Sequence, residues 1–468
     1  MILEQFYLGC LAHASYILID ERTRTAAVID PQRDVEQYLA KAAEHGATIE
    51  HVLLTHFHAD FVAGHLELRE RTGARIYLGA QARAEYDFTP LAEGDELRFG
   101  DVRLSILETP GHTPEGISIL VFDEARDAEA PHAVFTGDTL FVGDVGRPDL
   151  MASVGITSEE LAGMLYDSLR DKLMQLPEAT LVYPAHGAGS MCGKNLGTET
   201  FSTIGTQLQL NYALQPMARE EFVRVVSAAQ PQAPAYFGYD AQLNKQVRPL
   251  LEDALARVLV ALQPEEVLAK RDAGAQVLDV READAFAAGH LRGSLNVGLD
   301  GKFATWSGSV LEPEREIVVI APTGKEREVA TRLGRIGFDG MVGFLAGGYD
   351  ALAAHPDQLA TSARVAPAAL QARLEQGEDL VVLDVRGPGE VEAGHVGDSL
   401  SIPLPALASR WEEVPTDRPV AVICKSGYRS SAATSLLRAR GLTDVLDVTG
   451  GMDAWQAGGH PVATPATT

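Results

Sequence analysis

Short apolar runs that stop at polar turns recur over roughly the first two hundred positions. Examples are AAVID (26–30), HVLLTHFH (51–58), RLSILETPGH (103–112), AVFTGD (133–138) and TLVYPAHG (180–187). Stretches of helical periodicity such as DVEQYLAKAAEHG (34–46) lie between some of them, and this alternation predicts layered α/β structure. The opening MILEQFYLGCLAHASYILID reads as a first strand; with acidic Glu4 and no basic segment it does not read as a secretory signal. From about 205 to 262, helical patterns mix with Pro and Gly, predicting an extension of the first domain and then a linker.

Beyond position 262 the pattern repeats. LDVREADAFAAGHLRGSLNV (278–297) returns as LDVRGPGEVEAGHVGDSLSI (383–402), displaced by 105 residues. REIVVIAPTGKEREVATRLGRIGF (315–338) parallels RPVAVICKSGYRSSAATSLLRARGL (418–442), and FLAGGYDAL (344–352) parallels DVTGGMDAW (447–455). Each copy alternates strand and helix and is long enough for a small parallel-sheet domain, so the reading is two tandem copies of one module. The expected division is 1–250, 262–358 and 364–465, in keeping with about 150 residues per domain.

Composition bounds the partners. A formal net charge of −26 repels phosphate backbones and anionic lipid, which argues against nucleic acid and membrane. No apolar run approaches the ~18 residues of a membrane span. Cys10, Cys192 and Cys424 are too dispersed for a disulfide framework, so a reducing cytoplasm is the expected compartment and each thiol is a candidate for chemistry. A homo-oligomer is compatible with all of this.

Four strand ends carry metal-ligand chemistry. Thr55-His56-Phe57-His58-Ala59-Asp60-Phe61 follows VLL, Thr109-Pro110-Gly111-His112 follows LSIL, Thr136-Gly137-Asp138 follows AVF, and Tyr183-Pro184-Ala185-His186 follows LV. Strand ends in layered folds converge on one sheet edge, where imidazole and carboxylate suit iron or zinc. HxHxD, then PGH, TGD and PAHG, resembles the metallo-β-lactamase superfamily, whose fold is an αββα sandwich. The glyoxalase II branch hydrolyses thioesters with two metals and continues its first motif THxHxDH; here Phe61 stands in the last place, and a phenyl ring cannot ligate. The resemblance to the persulfide dioxygenase branch implies one Fe(II) per chain, held by His56, His112 and Asp138 as a facial triad, with His58, Asp60 and His186 orienting ligands or water. It implies that a low-molecular-weight persulfide such as glutathione persulfide is oxidised by O2 to sulfite and thiol. Phe61 departs from that branch's usual His as well, as in bacterial dioxygenase–rhodanese fusions. Arg147 is a candidate contact for an acidic carrier, and Cys192 a candidate persulfide relay. Cys10 and His13 read as packing residues.

In the second copy, Cys424 ends the strand VAVI and opens Cys424-Lys425-Ser426-Gly427-Tyr428-Arg429 ahead of a helical stretch. A thiol on a loop entering a helix N-terminus meets backbone N–H donors and the positive end of the dipole, which favour thiolate. With Asp384, Arg386, Glu390 and His395 before it and GGMDAW after it, this copy resembles a rhodanese. Four residues separate Cys424 from Arg429, against five in related phosphatases, and the smaller loop suits sulfur over phosphate. Ala321 replaces the cysteine in the first copy, which is therefore expected to be inert and to serve as a spacer or an interface against the metal domain. The reading is a persulfide dioxygenase–sulfurtransferase fusion in which Cys424 either feeds sulfane sulfur to the iron site or combines the product sulfite with another persulfide to make thiosulfate; the alternative is a glyoxalase II-like hydrolase with an appended sulfur carrier.

Overall fold

The computed structural model describes residues 1–150, 155–194, 196–228 and 230–464; the expected domain end at 465 lies outside the described residues. The chain forms two compact units, Met1–Pro231 with Phe237–Leu251, and Gln232–Tyr236 with Glu252–Thr468.

In the first unit, one sheet runs in sequence order β1 (Ile2–Leu8), β2 (His13–Ile19), β3 (Thr25–Ile29), β4 (Thr48–Leu53), β5 (Arg75–Gly79) and β6 (Thr89–Leu91). The N-terminal stretch that reads as one strand is a hairpin, β1 pairing antiparallel with β2. The other sheet is ordered β12 (Ser202–Thr203), β11 (Leu181–Pro184), β10 (Ala133–Gly137), β9 (Ile117–Asp123), β8 (Val102–Glu108), β7 (Glu96–Phe99). Alternate side chains face opposite ways along a strand, and here both faces are apolar. Tyr16, Leu18, Ala27 and Ile29 meet Leu104, Ile106, Ile119 and Phe135 between the sheets. Ile17, Ile19 and Val28 face outward under Tyr38 and Ala42 of helix α1 (Glu36–Glu44) and Leu68 of α2 (His65–Thr72). On the far side Leu120, Phe122 and Val134 are covered by Leu161-bearing α3 (Ser158–Asp167) through Leu165, by α4 (Ile204–Leu210) through Ile204 and by α5 (Arg219–Ser227) through Phe222 and Val226. This is the expected αββα sandwich.

The second unit holds the repeat. Five strands of the first copy lie in the order Ala261–Leu262, Met341–Leu345, Ile317–Ile320, Gln276–Asp279, Leu295–Asn296, every neighbouring pair parallel. The second copy repeats that order with Ala363–Val365, Val445–Val448, Val420–Ile423, Val381–Asp384 and Leu400–Ser401, again parallel throughout. Among the described residues no helix is long and apolar enough to cross a membrane.

Candidate metal centre and sulfur loop

The four motif strands β4, β8, β10 and β11 deliver their terminal residues to one edge of the sandwich. His56, His112 and Asp138 place one ligand atom each within 4.8 Å of one another. His58, Asp60 and His186 do the same, as do Asp138, His186 and Cys192. The three residues expected to orient ligands therefore form a donor group of their own, and Asp138 of the first group meets His186 of the second in the group with Cys192. All of these side chains are buried.

Hydrogen bonds on the outer ring nitrogens fix how the histidines point. The Thr55 hydroxyl donates its single proton to Asp30 Oδ2 at 2.8 Å, so at 3.0 Å it accepts from His56 Nδ1. His112 Nδ1 donates to the Arg147 carbonyl at 2.8 Å, and His186 Nδ1 to the Ala12 carbonyl at 3.2 Å. Each ring therefore turns a bare Nε2 lone pair inward. Those lone pairs meet the Asp138 carboxylate: His112 Nε2 and His56 Nε2 lie 3.4 and 3.8 Å from Oδ2, and His186 Nε2 lies 3.6 Å from Oδ1. Lone pairs facing an anion repel unless a cation sits between them. Burial holds His56 and His186 below the usual imidazole range, pushes His112 down to about 4, and raises the Asp138 carboxyl to about 6. Among the described residues neither Asp138 oxygen has a conventional hydrogen-bond donor. The donor set fits a metal ion.

His58 is held differently: its Nε2 lies 3.1 Å from Asp30 Oδ1, so Asp30 ties Thr55 and His58 together. Phe61, in the place where the resembling branches carry a histidine, lies tilted against His58 with ring centroids 4.4 Å apart and against buried His13 at 3.9 Å, walling that side with hydrocarbon. The Arg147 side chain is buried. Its guanidinium makes two 2.7 Å bonds to Asp149 and donates to the Met191 carbonyl at 3.0 Å, leaving its backbone carbonyl as its link to the site. Cys192 is buried beside Asp138, and burial raises its thiol well above the ordinary range. Cys10 lies half-buried.

In the second unit Cys424 is fully buried at the end of Val420–Ile423. Gly427 N–H donates to its Sγ at 3.1 Å, and Ser430 Oγ lies 3.4 Å away at the start of the helix Tyr428–Ala439. Gly427 has φ +93°, the left-handed region that lets the loop fold its N–H back onto sulfur. Gly451 closes the loop from behind: a Cβ there would come within 2.4 Å of the Cys424 carbonyl, which instead accepts from Met452 N–H at 2.8 Å. Arg429 forms a two-pronged pair with Glu390, both contacts 2.7 Å. Arg386 donates to the Asp384 carboxylate and to the Gly394 carbonyl, as Arg281 does to Asp279 and Gly289 in the first copy, so these motif residues staple the fold.

The first copy reaches the sulfur loop directly. The Tyr428 hydroxyl donates to the Gly298 carbonyl, and the Trp306 ring lies 5.4 Å from the Arg429 guanidinium. Asn296 N–H donates to Ser435 Oγ at 2.9 Å, and its side-chain oxygen accepts from Ser431 at 2.6 Å. A cavity of about 620 Å³ lies between the copies beside Ser426, Gly427 and Tyr428, with Glu282 and Gly298 on its other wall. Nothing in the motif around Ala321 announces this role, because the contacting residues lie elsewhere in that copy, Asn296 at a strand end and Trp306 in a helix.

With this geometry in place, the chain belongs to the metallo-β-lactamase superfamily and carries two rhodanese-like domains on its C-terminal side. The Metallo-beta-lactamase superfamily profile matches residues 8–186, and the Rhodanese-like domain profile matches 263–355 and 366–458. Over 228 residues it is 29% identical to mouse persulfide dioxygenase ETHE1 (Mus musculus), covering 48% of this chain and 80% of that protein. Over 184 residues it is 37% identical to the cytoplasmic hydroxyacylglutathione hydrolase of Arabidopsis thaliana, which accounts for 39% of this chain and 66% of that enzyme, just under two thirds of its length. A solved metallo-beta-lactamase structure from Staphylococcus aureus subsp. aureus COL superposes with a TM-score of 0.66 at 31% identity, covering 73% of this chain and 98% of that one. The chain is thus a sulfur-metabolism fusion built on a metallo-beta-lactamase fold whose His and Asp groups could hold a metal ion.

Proposed function

We propose that the protein is a persulfide dioxygenase fused to a sulfurtransferase. The oxygenase is assigned to 1–250, the inert rhodanese copy to 262–358 and the sulfurtransferase to 364–465. The first reaction is RSS⁻ + O2 + H2O → RSH + SO3²⁻ + H⁺, with glutathione persulfide as the expected substrate. In the second, Cys424 thiolate attacks the outer sulfur of RSSH to give Cys424 persulfide and RSH. Sulfite then takes that sulfur as thiosulfate and frees the thiolate. Tethering the two sites raises the effective concentration of one product at the other.

The observation that carries this reading is the inward-facing donor set His56, His112 and Asp138 in one chain with a thiol in an amide-lined loop. One ferrous ion held there supplies the redox chemistry that ground-state O2 demands. The outer hydrogen bonds to Arg147, Thr55 and Ala12 keep the imidazoles neutral and aimed, which is the form that ligates. Phe61 and His13 exclude water from one flank. At Cys424 the Gly427 N–H and the helix N-terminus stabilise sulfur anion before and after transfer. The test is anaerobic purification with metal analysis, then oxygen-electrode assays with glutathione persulfide. One iron per chain with O2 uptake supports the proposal.

The second donor group, His58, Asp60 and His186, favours one other reading, a two-metal thioester hydrolase. Two zinc ions per chain and hydrolysis of S-lactoylglutathione would establish that reading and overturn the first.

A further inference from the structure

The loop that carries His56, His58 and Asp60 has no regular secondary structure over most of its length, so its peptide groups have no ladder partners and must find others. A single distant side chain satisfies three of them. Asn244 is fully buried in the turn after the helix Tyr236–Leu243. Its Nδ2 donates to the His58 carbonyl and to the Phe61 carbonyl, each at 2.8 Å, and its Oδ1 accepts from Ala63 N–H at 2.8 Å. These contacts bracket Asp60. The carboxamide is the one side-chain group of this size that offers two donors and an acceptor in a plane.

Asn244 is itself fixed. Its N–H donates to the Asp240 carbonyl at 2.9 Å, and its carbonyl accepts from the buried Tyr86 hydroxyl at 2.7 Å. Four residues on, Arg248 donates to the Ala63 carbonyl and grips Glu67 of α2 with bonds of 2.6 and 3.0 Å. Residues 240–249 thus form a strap across the back of the ligand loop, contacting it at both ends of the span 58–63.

We propose that Asn244 is a positioning residue for the metal centre: by fixing the His58 and Phe61 carbonyls and the Ala63 amide it sets where the side chains of His58 and Asp60 stand relative to His186 and Asp138. This rests on the metal reading above. Asn244→Asp keeps the shape but turns an acceptor toward two carbonyls; Asn244→Ala removes all three bonds. Outer-shell partners of this kind govern metal affinity by roughly 10–100-fold.

The experiment loads the full-length protein with Co(II), measures affinity by chelator competition, and records the visible bands that report coordination geometry. Far-UV circular dichroism and limited proteolysis of the same samples before loading are the control for folding of the unit that holds Asn244. The expected result is a 10–100-fold loss of Co(II) affinity with altered bands in both variants and an unchanged dichroism spectrum and cleavage pattern. Variants that match a Co(II)-binding parent in affinity and spectrum overturn the role of Asn244 alone, even if they melt earlier. A parent that takes up no Co(II) refutes the metal reading and this proposal with it. Should Asn244→Ala fail to fold, Tyr86→Phe, which removes the hydroxyl holding the Asn244 carbonyl, must shift the Co(II) bands the same way in smaller measure; unshifted bands overturn the proposal.

Discussion

Glu67 shows what a single charge does in this interior. It is almost wholly buried between two guanidiniums, Arg33 at 3.3 Å and Arg248 at 2.6 Å. Burial works to raise its carboxyl, but the two arginines outweigh burial and hold it below the usual range. Glu67→Gln leaves two buried cations facing each other, and a loss of about 3–5 kcal/mol in denaturant unfolding is expected. Glu390 offers a pH test. Burial also opposes its ionisation, and its bonds to Arg429 again prevail, so its folded-state value is depressed. A depressed value means the pair contributes in full at neutral pH and is lost as pH falls through the folded-state value. Unfolding of Glu390→Gln monitored from neutral to acid pH is expected to show a shallower loss of stability than the parent. The motif residues His56, His112, Asp138 and His186 were legible in the sequence because each follows an apolar run. Glu67, Arg248 and Asn244 were not, since Arg248 meets Glu67 across 181 residues and Asn244 meets the His58 carbonyl across 186, with no motif to mark either.

At the scale of elements, the two copies share a loop backbone but not its chemistry. Gly324 has φ +88°, close to Gly427 at +93°, so both loops turn alike. Yet Ala321 stands for Cys424, Pro322 offers no N–H, and Glu326 opens the following helix where Arg429 stands. Ala321→Cys is therefore expected to restore no sulfur transfer in a Cys424→Ser background, by cyanide-trapping assay with thiosulfate. The repeat was read from its spacing, and the strand order repeats as expected. The contact between copies was not readable: Asn296, Ser431 and Ser435 are ordinary polar residues until the two sheets are folded, and a spacer or an interface against the metal domain was the expectation. Asn296→Ala unpairs Ser431 in a buried setting, which typically costs about 1–3 kcal/mol. It should lower the turnover of Cys424 while leaving O2 uptake unchanged.

For the molecule as a whole, the metal-donor groups and the Cys424 loop lie in different compact units, so the two proposed activities are expected to respond to separate insults. Chelation of the metal should abolish O2 uptake with glutathione persulfide and spare transfer from thiosulfate to cyanide. Cys424→Ser should do the reverse, and equal loss of both activities in either experiment would show obligatory coupling. The sandwich was legible because apolar strands with two buried faces leave few other layer arrangements. The second donor group was not, because Asp138 and His186 join both sides only when β10 and β11 lie parallel in the sheet.

The pairing of Asn296 with Ser431 and Ser435 bears on how this chain can be shortened or can diverge. A duplicate that no longer carries a nucleophile would ordinarily be free to decay, yet here its strand ends are part of the wall that keeps the working loop in shape. Excising it would strip Ser431 and Ser435, on the helix after the Cys424 loop, of their partners, so the copy without a cysteine lends its neighbour shape.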